Sequence, residues 1–140
     1  MLTVLSVSPL DEDHSSLRAI VGHSGCRLFD ANNLGASLAL LQKHDVAVVV
    51  CEKDLVPGSY IDLLEHVMVW PNAPSLIVAS RLADERLWAE ALNLGAWDVL
   101  AKPFDRNEVL RCVNSGWQHW QGQCELRGNR TQQWMPATGT

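Results

Sequence analysis

The chain has 140 residues, enough for one compact domain, and 47% of them are hydrophobic, which excludes a disordered polymer. Its net charge is −5 with both signs interspersed, so it lacks the clustered Lys and Arg that a nucleic-acid surface needs. No apolar run approaches the ~20 residues of a membrane helix, and no basic region precedes the apolar N-terminus, so neither a span nor a signal peptide is read and a cytoplasmic location is expected.

In chain order, "LTVLSVS" (Leu2 to Ser8) reads as a strand, followed by acids and then by Leu17, Ile20 and Val21 at helical spacing. "CRLFDA" (Cys26 to Ala31) is a short strand; Asn32 and Asn33 are capping candidates for a helix that carries Leu34, Leu38 and Leu41 on one face. "VAVVVC" (Val46 to Cys51) is apolar on both faces, as a central parallel strand must be. Ser59 begins a third helix, with Ile61, Leu64, Val67 and Met68 facing inward, and "SLIVAS" (Ser75 to Ser80) is the fourth strand. "ADERLWAEALNLG" is the clearest helix, acidic at its start and ended by Gly95. "AWDVLA" (Ala96 to Ala101) is the fifth strand, and Asp105 with Glu108 opens a last helix bearing Val109, Leu110, Val113 and Trp117. The domain is set at residues 1–120; residues 121–140 read as a polar tail, frayed or disordered.

Five β-α units imply an α/β fold: a parallel sheet with helices on both faces, whose ligands bind beyond the carboxyl ends of the strands. Ser8, Glu52, Ser80 and Lys102 all fall at such ends, on four different strands. The four cysteines have no zinc spacing and read as reduced thiols; Cys51, one residue before Glu52, faces the other side of its strand and belongs to the core. The five histidines, His14 among them, read as surface residues.

The stretch "SLIVASRLADERLWAEALNLGAWDVLAKPFDRNEVL" resembles the receiver domain of two-component response regulators, and the likeness spans Leu2 to His119. It rests on Ser80 after the fourth strand, Gly95 with Ala96 before the fifth, and Lys102, Pro103 and Phe104 after it. The resemblance implies a flavodoxin-like, doubly wound (βα)5 fold with strand order 2-1-3-4-5, and a role in signalling rather than catalysis. It also implies an aspartate phosphoacceptor ending the third strand, an acid pair holding Mg²⁺ after the first, and Ser and Lys contacts to the phosphoryl group. A cis peptide bond before Pro103 is implied as well.

The chain departs from that pattern three times. Glu52 stands at the phosphoacceptor position, its carboxylate ~1.5 Å further along than an aspartate's, whereas such sites tolerate ~0.5 Å. Ser8 and Pro9 stand where the acid pair belongs, with Asp11 and Glu12 displaced downstream as the remaining candidates for Mg²⁺ and as helix N-terminal charges otherwise. Val99 replaces the aromatic of the fifth strand that moves on activation, with Trp97 read as lying on the same side. Lys102 is expected to pair with Glu52, and Ser80 either contacts phosphate or caps its own loop.

Trp88, Trp97, Trp117 and Trp120 are expected on one face formed by the fourth helix, fifth strand and fifth helix, which in relatives makes homodimers or docks partners. The expected partner is a protein, a sensor histidine kinase or an output protein, with no nucleic acid and no membrane. Three functions are therefore expected in order. The first is a phosphorylation-independent receiver needing no cofactor, and the second a working receiver phosphorylated at Glu52 or Asp54 with Mg²⁺. The third is a flavodoxin-like ligand binder, disfavoured because "SPLDEDHSS" puts acids where a phosphate would sit.

Overall fold

The computed structural model describes residues 2–22 and 25–134. Five strands, β1 (Thr3–Val7), β2 (Arg27–Ala31), β3 (Val48–Glu52), β4 (Ser75–Ser80) and β5 (Asp98–Ala101), alternate with five helices. These are α1 (Asp11–Val21), α2 (Leu34–Lys43), α3 (Tyr60–Val67), α4 (Glu85–Leu94) and α5 (Arg106–Trp134). All strand pairs are parallel and the sheet order is β2-β1-β3-β4-β5. This is the doubly wound, flavodoxin-like arrangement the sequence implies.

Helices α2, α3, α4 and α5 start where side chains take up free backbone N–H groups, whereas α1 has no such cap. Asn33 accepts from Ala36 N, Asp84 from Leu87 N, and Ser59 with Asp62 forms a reciprocal capping box at α3. Gly95 ends α4 at φ 107°, a left-handed conformation that costs glycine little, and a Cβ there would lie 2.6 Å from Met68 Cε.

Helices cover both faces of the sheet, and the central strands β1, β3 and β4 are buried almost throughout. One layer packs Leu17 and Ile20 of α1 and Val109 and Val113 of α5 against Val4, Val48, Val50 and Ile77. The other packs Leu41, Tyr60, Leu63, Leu64 and Leu87 of α2, α3 and α4 against Leu5, Val49, Val78 and Val99. Gly116 lets α5 approach the sheet closely: a Cβ would meet Ser75 Cβ at 3.2 Å, and Ser75 Oγ donates to Gly116 O at 2.8 Å.

Several expectations are corrected here. His14 is buried rather than at the surface, with Nδ1 2.7 Å from Ser6 Oγ and Nε2 2.9 Å from Ser8 O. Trp97 packs on the α5 side, whereas Val99 packs on the opposite side of the sheet. The period-two alternation fails between them because β5 begins only at Asp98. Trp97, Trp117 and Trp120 all pack against the layer formed with α1 and α5, whereas Trp88 lies apart from it on α4. Trp97 stacks on His119 and donates to Ser115 Oγ, and Trp117 lines a groove with Leu2, Val21 and Cys26. Trp120 Nε1 donates to Asn72 O at 3.4 Å, while Trp88 stands 41% exposed on α4. Finally, α5 continues as helix beyond residue 120 to Trp134, through Gln, Glu, Leu and Arg residues that favour helix; residues 135–140 of the expected tail lie outside the described residues. No helix among the described residues is long and apolar enough to cross a membrane.

Candidate functional site at the carboxyl edge of the sheet

β1, β3 and β5 deliver Ser8, Glu52 and Lys102 to one edge, because parallel pairing in register ends these strands at the same level. A fourth group enters from the first turn of α1. Asp13 points inward, and its Oδ2 accepts from Lys102 Nζ at 2.6 Å and from Ser8 Oγ at 2.6 Å. Lys102 Nζ is simultaneously paired with Glu52 Oε1. The lysine side chain is only 4% exposed, against 10% for Asp13 and 12% for Glu52. Burial alone would push the Lys102 ammonium down, but the hydrogen bonds and charges of Glu52 and Asp13 outweigh it and hold its pKa above the ordinary lysine value. Two carboxylates against one ammonium leave the cluster with one net negative charge.

Glu52 has a second task. Its Oε2 accepts from Asp54 N at 2.9 Å, tying the acid to the turn after β3. Asp54 itself is exposed and forms an isolated bridge with Ser59. Ser80 is buried, and its Oγ accepts from Leu82 N at 3.1 Å, the loop-capping geometry. The Lys102–Pro103 peptide bond is cis.

Asp11 and Glu12 take no part in the contacts to Lys102, which are made by Asp13 and Glu52. Glu12 Oε1 accepts from Arg81 at 3.0 Å on the surface, and Asp11 lines a shallow pocket with His14, Asp30 and Asn33. The resemblance implies Mg²⁺ at the carboxyl edge, and the donors present do not fit it. Mg²⁺ demands near-octahedral oxygen ligands; here the two converging carboxylates already close on an ammonium. Among the described residues no group of three or more His, Cys, Asp or Glu side chains is placed to hold a metal.

Asp13 is the site residue that strand-end reasoning missed. Its signal lay in helical spacing: it stands four and seven residues before Leu17 and Ile20, both on the buried face of α1. Among the three acids of that turn, it is the one whose spacing matches this stripe.

A carboxyl-edge cleft on a 2-1-3-4-5 sheet, with a strand-end acid facing a lysine before a proline, defines a receiver-like architecture. Residues 11–114 match the family model described as "Response regulator receiver domain", and the chain belongs to that family. The transcriptional regulatory protein KdpE of Mycobacterium tuberculosis (strain ATCC 25618 / H37Rv) is 29% identical over 104 residues, 72% of this chain and 46% of that protein. The KDP operon transcriptional regulatory protein KdpE of Escherichia coli (strain K12) is 27% identical over 109 residues, 78% and 48% respectively. The chain spans about half the length of these curated relatives. The signal receiver domain of a putative Luxo repressor protein from Vibrio parahaemolyticus shares the fold, with TM-score 0.82 and 16% identity over 89% of this chain and 96% of that one. So does the chemotaxis response regulator CheY4 of Vibrio cholerae, with TM-score 0.75 and 17% identity over 83% and 98%.

Proposed function

We propose that this receiver domain signals without phosphorylation, through protein contacts, with Glu52 standing in the phosphoacceptor place. The observation that carries the reading is the clasp on Lys102. In a phosphorylatable receiver the lysine meets the incoming phosphoryl group, whose transfer depends on cations over its oxygens. Here the ammonium is held by Glu52 and Asp13 together, and the cluster's net negative charge repels an approaching anion. Val99, buried in the core on the α2 to α4 side, offers no ring to swing inward. The partner surface we assign to α4, where Trp88 and Leu92, one turn apart, stand 41% and 42% exposed. A cytoplasmic protein partner, such as a sensor kinase or output protein, fits this role.

Incubation with acetyl phosphate and Mg²⁺, followed by intact-mass analysis, tests the proposal. The expected result is an unchanged mass; a phosphoryl adduct that disappears in Glu52→Gln would overturn it. An adduct that persists in Glu52→Gln and disappears in Asp54→Asn would favour the working-receiver reading instead.

A further inference from the structure

We infer that Lys102 is the resident cation of this cleft: its ammonium fills the place between the Asp13 and Glu52 carboxylates where a divalent ion would bind, and so makes the domain indifferent to Mg²⁺. Three observations carry this. The two acids come from separate elements, the first turn of α1 and the end of β3, and meet only at Lys102 Nζ. The ammonium is almost fully buried, and Asp13 is oriented towards it by the Ser8 hydroxyl. Of the displaced acids, the remaining candidates for a divalent ion, Glu12 is paired with Arg81 and Asp11 lines a separate pocket with His14, Asp30 and Asn33.

The chemistry follows from charge and geometry. An ammonium brings three N–H donors and one positive charge on a tether that the chain itself supplies. It therefore satisfies two carboxylates without the dehydration that Mg²⁺ resists. Removing the ammonium while keeping the acids leaves two buried carboxylates facing each other, an arrangement relieved by a divalent ion. The inference deepens the proposed function, yet it fails separately. A wild-type chain that binds Mg²⁺ but takes no phosphoryl group overturns this inference alone; one that takes phosphoryl while insensitive to Mg²⁺ overturns only the functional reading.

The test compares thermal unfolding in EDTA and in about 10 mM MgCl₂ for wild type, Lys102→Met and Asp13→Asn/Lys102→Met. Wild type is expected to show no shift. Lys102→Met is expected to gain about 5 °C with Mg²⁺, and the double variant to lose that gain. A wild-type midpoint that rises saturably with Mg²⁺, or a folded Lys102→Met that responds no more than wild type, overturns the inference. If Lys102→Met does not fold, Mn²⁺ titration of the wild-type chain by water-proton relaxation decides: a saturable site removed by Asp13→Asn overturns it, and its absence supports it.

Discussion

At the scale of single residues, the cleft is dominated by the cost of leaving a buried charge without its partner. Truncating one member of a buried ion cluster typically costs ~3–5 kcal/mol, although replacing the whole cluster by apolar groups can be neutral. Lys102→Met is therefore expected to lose about 3 kcal/mol in urea unfolding, and Asp13→Asn/Glu52→Gln/Lys102→Met to regain most of it. A single variant as stable as wild type would mean that the clasp is not formed in solution. The sign of the pH effect is fixed by the raised Lys102 pKa. Its contribution is fully present below the ordinary lysine value of 10.5 and is lost as pH rises through the higher folded value. The stability gap between wild type and Lys102→Met should then stay flat from neutral pH to about pH 10. The strand-end residues Glu52 and Lys102 were legible because strands announce themselves by apolar runs and parallel sheets gather their ends. Asp13 was not, because helix rotation, rather than strand position, turns it inward.

At the scale of elements, the boundaries most legible were those with chemical punctuation. Asn33, Ser59, Asp84 and Gly95 stand at helix ends because each satisfies free backbone groups or tolerates a left-handed turn. The side on which Trp97 packs was illegible, since alternation says nothing about a residue just before its strand. The same is true of the tryptophan face, which required knowing how α5 rolls on the sheet. Tyr60 introduces a link that no local pattern announces. Its ring is buried at the start of α3, and its hydroxyl donates to Glu90 Oε1 of α4 at 2.6 Å. Burial and the Glu90 carboxylate both push its pKa upward. Tyr60→Phe is expected to cost about 1 kcal/mol, with amide exchange accelerating selectively along α4. Uniform acceleration would indicate a general loss of packing instead. Thiols divide by burial: burial, with Asp98 accepting its S–H, pushes Cys112 up to about 12, and burial raises Cys51 further. Both should resist a thiol reagent at pH 8 in the native chain, whereas half-exposed Cys26 and Cys124 remain accessible.

At the scale of the whole molecule, the fold class was readable because β-α units alternate along the chain and the central strand β3 is apolar on both faces, a pattern that only helices on both sides can bury. The scaffold is thus the one its relatives use. The close approach at Gly116 has a mechanical meaning for such a scaffold. Backbone of α5 and the Ser75 side chain of β4 are joined there with no space between, so the helix has no room to slide along the sheet. A partner that pulls on the distal turns of α5 would deliver its load to the central strands through this rivet and the Val109, Cys112 and Val113 packing beside it, and the domain would answer as a stiff plate rather than as a hinge.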